Sequence, residues 1–139
     1  GDHRDLHSFP TLRSSDLPHA VTEKALEFEY ALNGMIGLET SLALSLRLVE
    51  DGVLTMMQLV EKMSTNPARI LRLPYGTLAP GIDADITVID PDLSWQVDVH
   101  KFFSKSRNCP FDGWNLLGKA VLTMVGGEIK FNTLAQNRL

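Results

Sequence analysis

Four histidines and one cysteine are the residues best suited to metal binding or nucleophilic catalysis: His3, His7, His19, His100 and Cys109. Their spacing supports neither. There is no His-x-His or Cys-x-x-Cys pair. His3 and His7 are four apart, but they lie in a stretch without helical period, so nothing puts them on one face. His100 precedes Lys101-Phe102-Phe103 and reads as a surface or packing histidine. Cys109 has no histidine partner nearby, and its neighbours Asn108, Pro110 and Phe111 suggest a packed loop. Gly-x-Ser-x-Gly and phosphate-loop patterns are absent. What remains is a grip for a small ligand. His19 follows Pro18, and Asn33-Gly34 comes next, with Gly34 fifteen residues after His19. A histidine at a strand end can donate to a carboxylate, and a glycine in a turn lets a ligand approach its backbone N–H closely. Taken alone, the signal is weak, and His19 is more readily a plain loop residue.

The elements that would position these residues fall into two kinds. From residue 18 to 73 the pattern is helical. Thr22 to Phe28 forms a short helix start, and Asn33-Gly34 breaks it with a turn. Leu38, Leu42, Leu46 and Val49 recur at spacings of three and four, which predicts an amphipathic helix from about Leu38 to Glu50, stopped by Asp51-Gly52. Thr55 opens a second helix through Met63. Ser64-Thr65-Asn66 then reads as a polar cap before Pro67 in the first turn of a third. From residue 74 onward the pattern turns to strands. Ala84–Asp90 is largely β-branched and apolar and is expected to end at Pro91. Trp95–Val99 alternates. Ala120–Val125, Gly126-Gly127 and Glu128–Phe131 read as a hairpin. About four strands and three short helices are expected, and neither half looks able to cover itself.

Residues 1–17, GDHRDLHSFPTLRSSDL, have no helical or alternating period and are expected to be a disordered or non-native tail. The 139 residues amount to about one domain, and 44% hydrophobic with 22% charged residues is a globular balance. A net charge of −4 argues against nucleic-acid and anionic-membrane partners. No apolar run approaches the ~20 residues of a membrane span, the first residues do not look like a signal peptide, and a lone cysteine suits a cytoplasmic protein.

Four blocks then give the sequence a likeness. They are Gly37-Leu38-Glu39-Thr40, Ser64-Thr65-Asn66-Pro67-Ala68-Arg69-Ile70-Leu71, the run from Gly76 to Asp85, and Ser104-Lys105-Ser106-Arg107-Asn108-Cys109-Pro110-Phe111-Asp112-Gly113-Trp114. Together they resemble the C-terminal third of the bacterial dihydroorotases, within the amidohydrolase superfamily. The block ending Asp83-Ala84-Asp85 is shared by many amidohydrolases. The stretch from Asn108 to Trp114, followed by Gly118-Lys119 and a hairpin, is more specific to the dihydroorotase branch. The resemblance implies an α/β fold: residues 18–73 as the end of a (β/α)8 barrel with its closing helices, and residues 74–139 as the C-terminal strands of a small β-sandwich. It also implies a ligand site at the C-terminal ends of the barrel strands, where the loop around His19 would lie.

The chemistry implied is the interconversion of N-carbamoyl-L-aspartate and dihydroorotate in pyrimidine synthesis, assisted by two zinc ions whose ligands lie outside this segment. His19 matches the final histidine of the family phrase Asp-His-Ala-Pro-His, and Asn33-Gly34 matches a Phe-Gly turn, so His19, Asn33 and Gly34 are the expected substrate-binding residues. The proton-transferring aspartate of that phrase is replaced by Ser15. Asp16 is one residue out of register, which on an extended segment points to the other face. The segment therefore carries no expected catalytic residue and no metal ligand, and it should be inactive alone. Two further readings stand beside this one. One derives the chain from a non-catalytic dihydroorotase-like scaffold of aspartate transcarbamoylase, which the missing aspartate would suit; the other derives it from a sister enzyme such as allantoinase or dihydropyrimidinase. The expected assemblies of the parent are a homodimer or a complex with aspartate transcarbamoylase.

Overall fold

A computed structural model describes residues 20–31 and 34–134. Helix α1, Val21–Lys24, is a single turn. Helix α2, Ser41–Glu50, is the longest helix among the described residues. Its end follows from Asp51-Gly52. Gly52 adopts φ +70, its N–H donates to the Val49 carbonyl at 3.1 Å, and the Val53 N–H reaches the Leu48 carbonyl at 2.9 Å. This is a Schellman closure, which needs a residue that tolerates positive φ. The start is later than the leucine spacing predicts. Leu38 lies outside the helix and is 77% exposed, while Ala43, Ser45 and Leu46 are the buried face.

Helix α3, Met56–Val60, opens with a complete capping box. The Gln58 N–H donates to Thr55 Oγ1 at 3.2 Å, and the Thr55 N–H donates to Gln58 Oε1 at 2.8 Å. The chain does not stop before Pro67 as the polar cap suggested. A π-helical turn, Glu61–Thr65, carries it directly into α4, Asn66–Leu71, and Thr65 has helical angles and caps nothing. Pro67 has no N–H to offer the preceding turn, and the shift to i→i+5 bonding, with the Asn66 N–H on the Glu61 carbonyl, accommodates that loss without breaking the rod.

The strands form one antiparallel sheet in the order β1 (Ile86–Gln96), β2 (Asn115–Val125), β3 (Glu128–Asn132). Three strands are therefore found among the described residues instead of four, because Pro91 does not end its strand. It sits in a register shift between Asp90 and Ser94, where the chain bulges opposite Gly118 and then resumes pairing. A bulge is where a strand can hold a proline without losing a ladder bond. The β2–β3 turn at Gly126-Gly127 has φ of +58 and +81, the positive pair of a type I′ hairpin.

Two small clusters join these parts. Ala43 of α2 packs with Val97 and Leu116 at the sheet, and Ile36 packs with Val99 and Cys109; Phe102 touches both clusters. At Gly118 the sheet comes close against Leu46 of α2. A β-carbon there would lie 2.2 Å from Leu46 Cδ1, and its φ is +86. Among the described residues no helix is long and apolar enough to cross a membrane.

Candidate functional site

Of the expected ligand-binding residues, Gly34 alone can be placed. His19, Asn33 and the Ser15 position lie outside the described residues. Gly34 has φ +124, a conformation open to glycine and strained for other residues. Its carbonyl accepts two hydrogen bonds, from Lys24 Nζ and from Asn108 Nδ2, each at 3.0 Å. Two residues on, the Ile36 N–H donates to the Asn108 carbonyl at 3.2 Å. The backbone from Gly34 to Ile36 is thus held by α1 on one side and by the 104–114 loop on the other.

That loop is in turn braced by bonds within itself and tied to its surroundings. Ser106 Oγ donates to Asn108 Oδ1, which fixes the amide with its NH2 toward Gly34. Arg107 Nη1 donates to the carbonyls of Ser104 and Ser106. The Glu39 carboxylate accepts from the N–H groups of Phe103 and Ser104 at 3.2 and 3.1 Å. Asp112 Oδ1 accepts from the Val99 N–H at 3.1 Å, and the Gly113 N–H donates to the Val97 carbonyl at 2.9 Å. Phe111 and Trp114 meet edge to face at 5.3 Å between centroids. The blocks around Glu39 and Asn108, far apart in sequence, are therefore two halves of one fastening. Asp85 has a similar role elsewhere: its Oδ1 accepts the Gly126 N–H at 2.7 Å and clamps the hairpin turn.

Cys109, within this loop, is buried. Burial pushes its thiol pKa up, and the charge of Asp112 adds to that; hydrogen bonds with the Phe111 backbone and the Thr40 side chain act the other way. Such a thiol is a packing group, not a nucleophile. Asp98 is held below its ordinary value, chiefly by the His100 N–H donating to its carboxylate, and it stays on the surface with Lys101 at 3.3 Å. Beside α2 an open, mostly apolar cleft of about 400 Å³ runs along the sheet, lined by Leu38, Leu42, Trp95, Phe103 and Phe131 among others. Among the described residues no three histidine, cysteine, aspartate or glutamate side chains come together to hold a metal ion, so this part of the chain does not fit one. What the arrangement can do is hold the backbone at Gly34 in a fixed conformation that favours glycine.

Sequence reasoning singled out the blocks but missed the roles of Lys24, Glu39 and Asn108. The available signal was Asn108 itself, a polar side chain set beside Cys109, Pro110 and Phe111 in an otherwise packed loop.

Comparison with known proteins agrees with this frame. The chain is 58% identical over 114 residues to the dihydroorotase of Syntrophus aciditrophicus, a match spanning 82% of this chain and 27% of that protein. It is 60% identical over 114 residues to the dihydroorotase of Geobacter metallireducens, again 82% of this chain and 27% of that protein. The chain thus spans about a quarter of the length of these curated relatives. Among solved structures, the L-hydantoinase (dihydropyrimidinase) from Arthrobacter aurescens superposes with a TM-score of 0.71 at 40% identity, covering 76% of this chain and 24% of that one. The D-hydantoinase (dihydropyrimidinase) from Thermus sp. gives 0.71 at 27% identity over 83% and 26%. A sequence model of the amidohydrolase family matches residues 21–130, and by that match over most of its length the chain belongs to the amidohydrolase family.

Proposed function

We propose that the chain is the C-terminal share of a cyclic amide hydrolase of the dihydroorotase branch, which interconverts dihydroorotate and N-carbamoyl-L-aspartate in the cytoplasm. The observation that carries this reading is the identity of 58–60% with dihydroorotases, against 40% with the hydantoinase. In this reading residues 18–73 close the parent's barrel and residues 74–139 supply its share of a small β-sandwich. Residues 1–17 lie outside the matched family region and are read as a tail that is not native to the enzyme. His19 and the Asn33-Gly34 turn hold the substrate, His19 by donating to its carboxylate and the turn by backbone contact. The segment brings no general base, since Ser15 cannot act as a carboxylate. The two zinc ions expected of the parent would be held by side chains elsewhere in it and would supply an activated water and polarise the ring carbonyl.

The experiment is a substrate comparison on the full-length enzyme that carries this segment. Turnover of dihydroorotate well above that of hydantoin, dihydrouracil and allantoin is expected. Preference for hydantoin or dihydrouracil would move the protein to the hydantoinase branch. A metal-loaded full-length enzyme inert to all four would leave the scaffold reading, and binding to aspartate transcarbamoylase would then support it.

A further inference from the structure

We propose that Asn108 is a positioning residue for the substrate, acting through the Gly34 turn from a loop 74 residues away in sequence. The proposal deepens the dihydroorotase reading above and rests on it for the role of the turn. Asn108 grips the turn twice: its side-chain NH2 donates to the Gly34 carbonyl at 3.0 Å, and its main-chain carbonyl accepts the Ile36 N–H at 3.2 Å. Together the two bonds fix the peptide planes that follow Gly34. A glycine at φ +124 has no side chain to limit its rotation, so outside contacts must fix the peptide on its carbonyl side and with it the path of the backbone at Gly34. Asn108 can do so because its amide is itself oriented: Ser106 Oγ donates to Asn108 Oδ1, which leaves the NH2 aimed at Gly34. Lys24 Nζ shares the same carbonyl at 3.0 Å but sits on a flexible stem in a one-turn helix, so the rigid partner is the asparagine. A backbone grip loses affinity when its donor is misaimed, while the bond-breaking groups, located elsewhere in the enzyme, are untouched.

The test uses the full-length enzyme with Asn108→Ala and, as a volume-matched partner, Asn108→Leu. Each is assayed for kcat and KM with dihydroorotate and melted to check folding. KM should rise roughly tenfold with kcat within about threefold of the parent and the melting temperature close to it, the pattern of lost ground-state positioning. KM within twofold of the parent in either folded variant overturns the proposal. So does a fall in kcat at constant KM, or failure of both variants to fold, which would make Asn108 a structural residue only. An unsubstituted full-length enzyme inactive on dihydroorotate would instead overturn the functional reading, and the positioning role with it.

Discussion

Glu39 shows how a single residue ties the site to the frame. Its carboxylate accepts two main-chain N–H groups, from Phe103 and Ser104, at the start of the loop that reaches Gly34. Glu39→Ala removes both and should cost about 2 kcal/mol, the size expected for hydrogen bonds to a charged acceptor; the urea midpoint of the full-length enzyme would show it, and an unchanged midpoint would contradict it. Cys109 gives a test in pH. Its folded pKa is raised, so the stability linked to the neutral thiol is fully present below the unfolded value of about 9.0 and is lost as pH rises through the folded value. Denaturation midpoints should therefore fall above about pH 9, and Cys109→Ala should flatten that part of the fall. The same slope in both proteins would show that the thiol is not responsible. The residue scale is also where the sequence was least legible. Asn108 and Glu39 stood out as parts of family blocks, but their jobs are contacts across more than sixty residues, and no local period or spacing encodes a long-range hydrogen bond.

At the scale of elements the local signals did well wherever the cause was local. Asp51-Gly52 stopped its helix and Gly126-Gly127 turned its hairpin, because positive φ is a property of one or two residues. The two prolines fared differently. Pro67 stands in the first turn of α4 as expected, but the polar cap before it is replaced by a π turn that runs into the helix, whereas Pro91 does not end its strand and is held in a bulge inside β1. Both devices depend on what packs alongside. Leu38 failed similarly: its spacing is helical, yet it faces the open cleft. The helix α3 cap offers a direct check. Thr55→Ala should destabilise the protein by about 1 kcal/mol through loss of both halves of the capping box, whereas Thr55→Ser should keep most of it. Equal melting temperatures for the alanine variant and the parent would refute the cap's role. Gly118→Ala tests the helix–sheet contact. Positive φ alone costs about 1 kcal/mol, and displacement of the buried Leu46 should bring the total to roughly 2–3 kcal/mol. A neutral alanine there would mean that α2 does not press on the sheet as described.

The whole molecule buries a small core and leaves much apolar surface bare. Met57 of α3 is 76% exposed, Leu71 of α4 67%, and Phe103, just before the 104–114 loop, 89%. Exposed apolar side chains of this number call for a covering layer, and the chain matches 27% of the length of these relatives, so the proposed parent has further chain to supply it. The isolated chain is therefore expected to bind hydrophobic dyes and to melt broadly or aggregate; a sharp, reversible transition would count against this. The most direct measurement is dihydroorotate ring opening by the purified 139-residue chain supplied with zinc, set beside the full-length enzyme under the same conditions. The account predicts turnover by the full-length enzyme and none by the chain. Turnover by the chain at a comparable rate would contradict it, since the segment would then hold machinery that its described residues do not contain.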